Sequence, residues 1–124
     1  MTNELDVVVV DDKVLITDLF ESYFQLSNMN VNLYTFNDPY KALEFVKNNN
    51  RIDVLITDYK MPGINGIQLL EATSDETTRI LISGYVSSIA VEKLAELNAI
   101  FFEKPVPMKE LSKILKDKED GVEV

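Results

Sequence analysis

The sequence contains no cysteine and no histidine. Without thiolates there is no disulfide, no cysteine nucleophile, no iron–sulfur cluster and no Cys-ligated zinc. Without imidazole, Ser-His-Asp hydrolysis, HExxH metalloprotease sites and histidine pH switches are excluded as well. Any chemistry has to come from carboxylates, hydroxyls, amines and the backbone. Glycine and proline are sparse, at 4 each in 124 residues, which rules out collagen-like and low-complexity classes. Basic residues are outnumbered: 12 Lys and Arg against 21 Asp and Glu leave a formal charge of −9. That balance argues against direct binding of a nucleic-acid backbone. No apolar run approaches the roughly 18 residues of a membrane span. The acidic start MTNELD is unlike a signal peptide. A cytoplasmic location with no membrane association is the expectation.

What the sequence does have is 46% hydrophobic residues, enough for one domain with an ordinary core. Five short apolar runs recur: Asp6–Val10, Val31–Phe36, Ile52–Thr57, Arg79–Ser83 and Ala99–Phe102. Four of them are nearly continuous in Val, Ile, Leu and Phe, the pattern of strands covered on both faces of a parallel sheet. Segments with helical spacing separate them, at Lys13–Met29, from Asp38-Pro39 to beyond Val46, at Gly66–Ala72, at Ser88–Leu97 and at Met108–Lys118. Right-handed crossovers then build an α/β fold, (βα)₅, a doubly wound parallel sheet with helices on both faces. The domain is expected to span residues 1–118, with 119–124 a polar tail or the start of a linker.

In such a sheet, ligands bind beyond the carboxyl ends of the strands. The strand ends carry Asp11-Asp12, Asp58, Ser83 and Lys104-Pro105, whereas Asn37-Asp38 after the second run is accounted for by a helix cap. Three carboxylates, a hydroxyl and an amine converge on one rim. Each residue alone reads as a cap, a turn or a surface side chain, and their coincidence points to a site. Clustered carboxylates need a proton or a cation. An all-oxygen set suits Mg²⁺ or Mn²⁺, which share their coordination with phosphate oxygens. Lys104 and Ser83 can hold the remaining oxygens. With no Cys or His, a carboxylate forming an aspartyl-phosphate is a strong candidate nucleophile. Asp58 is favoured, since it ends a central strand and precedes the turn-forming segment YKMPGING.

The combination VVVVDD, ITDYKMPGINGIQLL, ILISG and FFEKPV, in this order and spacing from Asp6 to Lys116, resembles the receiver domain of bacterial two-component response regulators. The resemblance implies a five-stranded CheY-like sheet of order 2-1-3-4-5. It implies that Asp58 accepts a phosphoryl group from a phosphohistidine on a sensor histidine kinase or a histidine phosphotransfer protein. Asp12 would ligate the metal directly, Asp11 mainly through metal-bound water, and Asp58 itself and the Lys60 backbone carbonyl would complete the protein's share of the shell. Ser83 would bond a phosphoryl oxygen, Lys104 would pair with it, and the Lys104-Pro105 peptide would be cis. Phe101 stands at the switch aromatic, against the plain alternative of a core Phe. Lys60 and Tyr85 flank the site, or are simply exposed loop residues. Output would run through the face built from the Ser88 helix, the last strand and the Met108 helix, toward a downstream protein, an attached output domain or a second copy of the chain on phosphorylation. The domain would catalyse its own phosphorylation and dephosphorylation without turning over a separate substrate.

Three other readings compete. An Asp-nucleophile phosphatase usually has a second carboxylate two residues after the nucleophile, where this sequence has Lys60. A flavin or nucleotide carrier needs a phosphate-cradling first loop, but Asp-Asp-Lys stands there. A phosphorylation-independent interaction module is opposed by five chemically competent site positions.

Overall fold

The computed structural model describes residues 4–49, 51–84 and 91–121. Strands and helices alternate along the chain as β1 (Leu5–Val10), α1 (Val14–Leu26), β2 (Val31–Phe36), α2 (Pro39–Asn48), β3 (Val54–Asp58), α3 (Gly66–Glu71), β4 (Thr78–Ser83), α4 (Val91–Glu96), β5 (Ile100–Glu103) and α5 (Met108–Glu119). The sheet is all parallel, in the order β2-β1-β3-β4-β5. This is the expected topology.

The continuous apolar runs are explained by what covers each face. Val7, Val9, Val54, Ile56, Ile80 and Ile82 point toward Phe20 of α1 and Leu111 and Leu115 of α5. Their neighbours Val8, Val10, Leu55 and Leu81 point the other way, onto Ala42 and Val46 of α2, Leu69 and Leu70 of α3 and Leu94 of α4. Side chains of a strand alternate between faces, so a strand buried on both must be apolar at every position. The edge strands β2 and β5 are only half-buried.

Local chemistry sets where the elements begin and end. The Asp38 carboxylate accepts the Tyr40 N–H at 2.9 Å, and Pro39 opens α2. Asn65 and Gln68 form a reciprocal capping box at the start of α3. Helix α1 stops at Leu26, short of Met29, because Ser27 Oγ donates back to the Phe24 carbonyl and accepts the Met29 N–H. Strand β3 starts at Val54 rather than Ile52. Asp53 breaks the pattern by taking the Asp6 N–H on its side chain at 2.8 Å. The last helix runs one residue past Lys118, and Glu119 is buried where it accepts the Asn30 N–H. The expected start of the fourth helix at Ser88 lies outside the described residues.

Arg79, at the foot of β4, is buried and donates to Thr73 Oγ1, the Thr73 carbonyl and the Leu97 carbonyl. It ties the end of α3 to the end of α4. Among the described residues no helix is long and apolar enough to cross a membrane.

Candidate functional site

Parallel strands all deliver their carboxyl ends to one edge. The ends of β1, β3, β4 and β5 carry Asp11-Asp12, Asp58, Ser83 and Lys104. The structure brings these residues together. One carboxylate oxygen from each of Asp11, Asp12 and Asp58 lies within 4.8 Å of the other two. Asp11 and Asp58 are buried, Asp12 is half-buried, and Ser83 is fully buried at the adjacent strand end. Lys104 Nζ is 3.0 Å from Asp11 Oδ2 and 3.3 Å from Asp58 Oδ1, bridging the outer strand to the two inner ones.

The backbone completes the arrangement. Asp11 Oδ1 accepts the Lys13 N–H at 2.9 Å, and Asp58 Oδ1 accepts the Tyr59 N–H at 3.0 Å. The Lys104 N–H donates to the Ser83 carbonyl at 2.9 Å, which aligns the ends of β4 and β5, and the Lys104–Pro105 peptide is cis. Beyond Asp58 the chain turns back at once. The Gly66 N–H donates to the Tyr59 carbonyl at 2.8 Å, and a Cβ on Gly66 would overlap the Asp58 carbonyl oxygen. Gly63 adopts φ +87° beneath the Tyr40 ring. Met61 and Ile64 anchor this loop in the core, while Lys60 is exposed on it.

Electrostatics follow from burial and crowding. The Asp58 carboxyl is pushed above the ordinary carboxylate range, first by burial and then by the Asp11 charge. Lys104 and the Tyr59 N–H oppose the rise without cancelling it. Burial works to lower the Lys104 ammonium, but the hydrogen bond and charge of Asp11, joined by Asp58, outweigh it and hold the amine firmly protonated. Among the described residues, Asp12 Oδ1 is a buried side-chain oxygen with no hydrogen-bond partner, and the nearest cation is Lys13 Nζ at 3.7 Å. A buried orphan oxygen beside two further carboxylates is a donor set for a hard divalent cation, and Mg²⁺ fits it.

The rim is shallow. The void beneath Asp11, Asp58 and Lys104, lined mostly by core side chains such as Val9, Ile16 and Phe20, holds only about 10 Å³. Larger hollows of about 260 and 440 Å³ lie along Tyr34, Phe36, Phe45 and Asn48, on other elements.

Of the remaining expected residues, Phe101 lies on β5 beside Leu81 of β4, half-buried and packed on the cluster that contains Leu81 and Leu94. Tyr85 lies outside the described residues. The cap expected at Asp38-Pro39 is made by Asp38. The cap leaves the preceding Asn37 unexplained: its side-chain amide donates to the Asp11 carbonyl at 2.8 Å and to Thr17 Oγ1 at 3.0 Å.

Comparison with known proteins places this geometry. The family model described as the response regulator receiver domain matches residues 7–116. A putative two-component response regulator of Arabidopsis thaliana, ARR21, is 33% identical over 114 residues, which cover 90% of this chain and 18% of that protein. The chain thus spans about a fifth of the length of the first curated relatives it matches. Among solved structures, a CheY-like receiver domain from Methanospirillum hungatei superposes with a TM-score of 0.74 at 21% identity, covering 96% of both chains. The receiver domain of Saccharomyces cerevisiae Ssk1, solved with the histidine phosphotransfer protein Ypd1, gives a TM-score of 0.74 at 15% identity, covering 97% of this chain and 92% of that one. These two likenesses concern the fold.

Proposed function

Since this chain belongs to the response regulator receiver domain family of two-component signalling, we propose that Asp58 is its phosphoacceptor and that Asp11, Asp12, Ser83 and Lys104 carry the transfer. The observation that supports this best is the Asp11/Asp12/Asp58 oxygen cluster with the Lys104 ammonium 3.3 Å from Asp58 Oδ1. An ionised Asp58 oxygen attacks the phosphorus of a phosphohistidine. The new O–P bond forms as the P–N bond breaks, and the imidazole leaves with the electron pair. The product is an acyl phosphate on Asp58.

Each neighbouring residue has one task. Asp12, Asp58 and, through bound water, Asp11 would hold Mg²⁺, with the Lys60 carbonyl completing the protein's share of the ligands. Bound there, the cation would supply positive charge to offset repulsion between the carboxylate nucleophile and the incoming phosphoryl oxygens. Lys104 pairs with one phosphoryl oxygen and the Ser83 hydroxyl donates to another. The phosphoryl group comes from another protein, a sensor histidine kinase or a histidine phosphotransfer protein, and a small phosphoryl donor can stand in for it.

Output follows from the position of Phe101 on β5, next to the strand that ends in Ser83. When the Ser83 hydroxyl moves to the phosphoryl group, Phe101 turns inward and the surface of α4, β5 and α5 changes. Phe101 has no hydroxyl, so burying the ring must supply the bias. The altered surface engages a downstream protein, an attached output domain or a second copy of the chain. Incubation with acetyl phosphate and Mg²⁺, read by intact mass, tests the assignment. The wild type gains one phosphoryl group and Asp58→Asn gains none. Equal labelling of both would refute it.

A further inference from the structure

The Asp11-Asp12 corner is held by a side chain from another strand. Asn37 stands just past the end of β2, and although the residue is exposed, its amide nitrogen turns inward. It donates to the Asp11 carbonyl at 2.8 Å and to the hydroxyl of buried Thr17 at 3.0 Å. The Thr17 hydroxyl donates its own proton to the Val14 carbonyl at 3.0 Å, so it accepts from Asn37. Both partners of the amide are acceptors, which fixes which end of Asn37 faces them. The Asp11 N–H is also held, by the Phe36 carbonyl at 3.1 Å. The Asp11–Asp12 peptide, whose oxygen is the Asp11 carbonyl, is therefore oriented from β2 as well as from the start of α1.

We propose that Asn37 is a positioning residue for the acidic pocket. By clamping the Asp11 carbonyl against Thr17 it sets the plane of the Asp11–Asp12 peptide, and with it the aim of both carboxylates. The role rests on the reading above that this pocket holds a divalent cation. Groups that orient metal ligands from behind typically contribute 10–100-fold in metal affinity.

The test is calorimetric titration of MgCl₂ into the intact chain, with folding checked by circular dichroism. Asn37→Ala should bind Mg²⁺ about tenfold more weakly than wild type. Thr17→Val, which keeps the side-chain shape, should lose several-fold. The two together should lose no more than Asn37→Ala alone, because both break one clamp. Wild-type affinity in Asn37→Ala, or losses that simply multiply in the double variant, would overturn the proposal. If Asn37→Ala does not fold, Thr17→Val decides, and wild-type affinity there overturns it. A wild type that binds no Mg²⁺ would instead refute the metal reading. The positioning claim would then be read from the metal-free amide spectrum, in which Asn37→Ala must shift the Asp12 N–H, and an unmoved signal overturns it.

Discussion

Lys104 Nζ stands 3.3 Å from Asp58 Oδ1, so a residue at the end of the edge strand β5 neutralises a carboxylate two strands away. The same amine holds Asp11 Oδ2 at 3.0 Å. Lys104 therefore occupies the charge balance that a divalent cation would also serve. Lys104→Met should bind Mg²⁺ more tightly than wild type, because a competing positive charge is gone. It should nevertheless phosphorylate about 10²–10³ more slowly, having lost a donor to the phosphoryl oxygens. Calorimetry and rapid-quench labelling measure the two effects separately, and their opposite signs distinguish this role from simple structural damage.

Asp58 predicts a stability effect of definite sign. Its carboxyl is raised by burial and by Asp11, so the folded state holds a proton to higher pH than the unfolded chain does. Ionised Asp58 consequently weakens the fold at neutral pH without metal, and stability is lost as pH rises from the ordinary carboxylate value through the raised one. Asp58→Asn should melt at a higher temperature than wild type near pH 7 in the presence of a chelator. Adding Mg²⁺ should stabilise the wild type more than the variant. A lower melting temperature for Asp58→Asn would contradict the electrostatic account.

Glu119 predicts the reverse. The Asn30 N–H holds its carboxyl below the usual range, Lys116 adds to this, and burial opposes both. Its contribution is complete above the ordinary carboxylate value and is lost as pH falls through the lowered one. Glu119→Gln should flatten the acid limb of the stability curve measured by urea unfolding, with little change in Mg²⁺ binding at the far end of the sheet.

The sheet was legible in the sequence because both of its faces are covered. Val7 and Val9 need α1 and α5, Val8 and Val10 need α2 and α3, and the run reads as unbroken. The site was legible because parallel strands send Asp11, Asp58, Ser83 and Lys104 to one edge. What stayed hidden depends on contacts between residues far apart in the chain. Asn37 looked like part of a cap, and only the fold shows its amide on Asp11, 26 residues earlier. Glu119 looked like the start of a polar tail, but it is buried against Asn30, 89 residues away. Arg79 read as the first residue of a strand, and nothing local indicated that its guanidinium is buried on Thr73 and Leu97.

Phe101 is the residue proposed to carry the output. Because the ring is half-buried on the cluster containing Leu81 and Leu94, Phe101→Ala should destabilise the domain by about 1–3 kcal/mol, less than a fully buried Phe costs. It should leave phosphorylation of Asp58 intact while weakening partner binding or self-association. Amide shifts on adding beryllofluoride and Mg²⁺ should reach α4 and β5 in the wild type and fade there in the variant. Wild-type shifts confined to the Asp12/Asp58 rim would mean that the domain does not signal through that face.

The central claim is that one carboxylate, Asp58, takes the phosphoryl group. Borohydride reduction of the chain after treatment with acetyl phosphate and Mg²⁺ converts an aspartyl-phosphate to homoserine, which peptide mass spectrometry locates. The account predicts homoserine at position 58 alone, and none when Mg²⁺ is chelated. Homoserine at position 11 or 12, or no conversion with Mg²⁺ present, would contradict it.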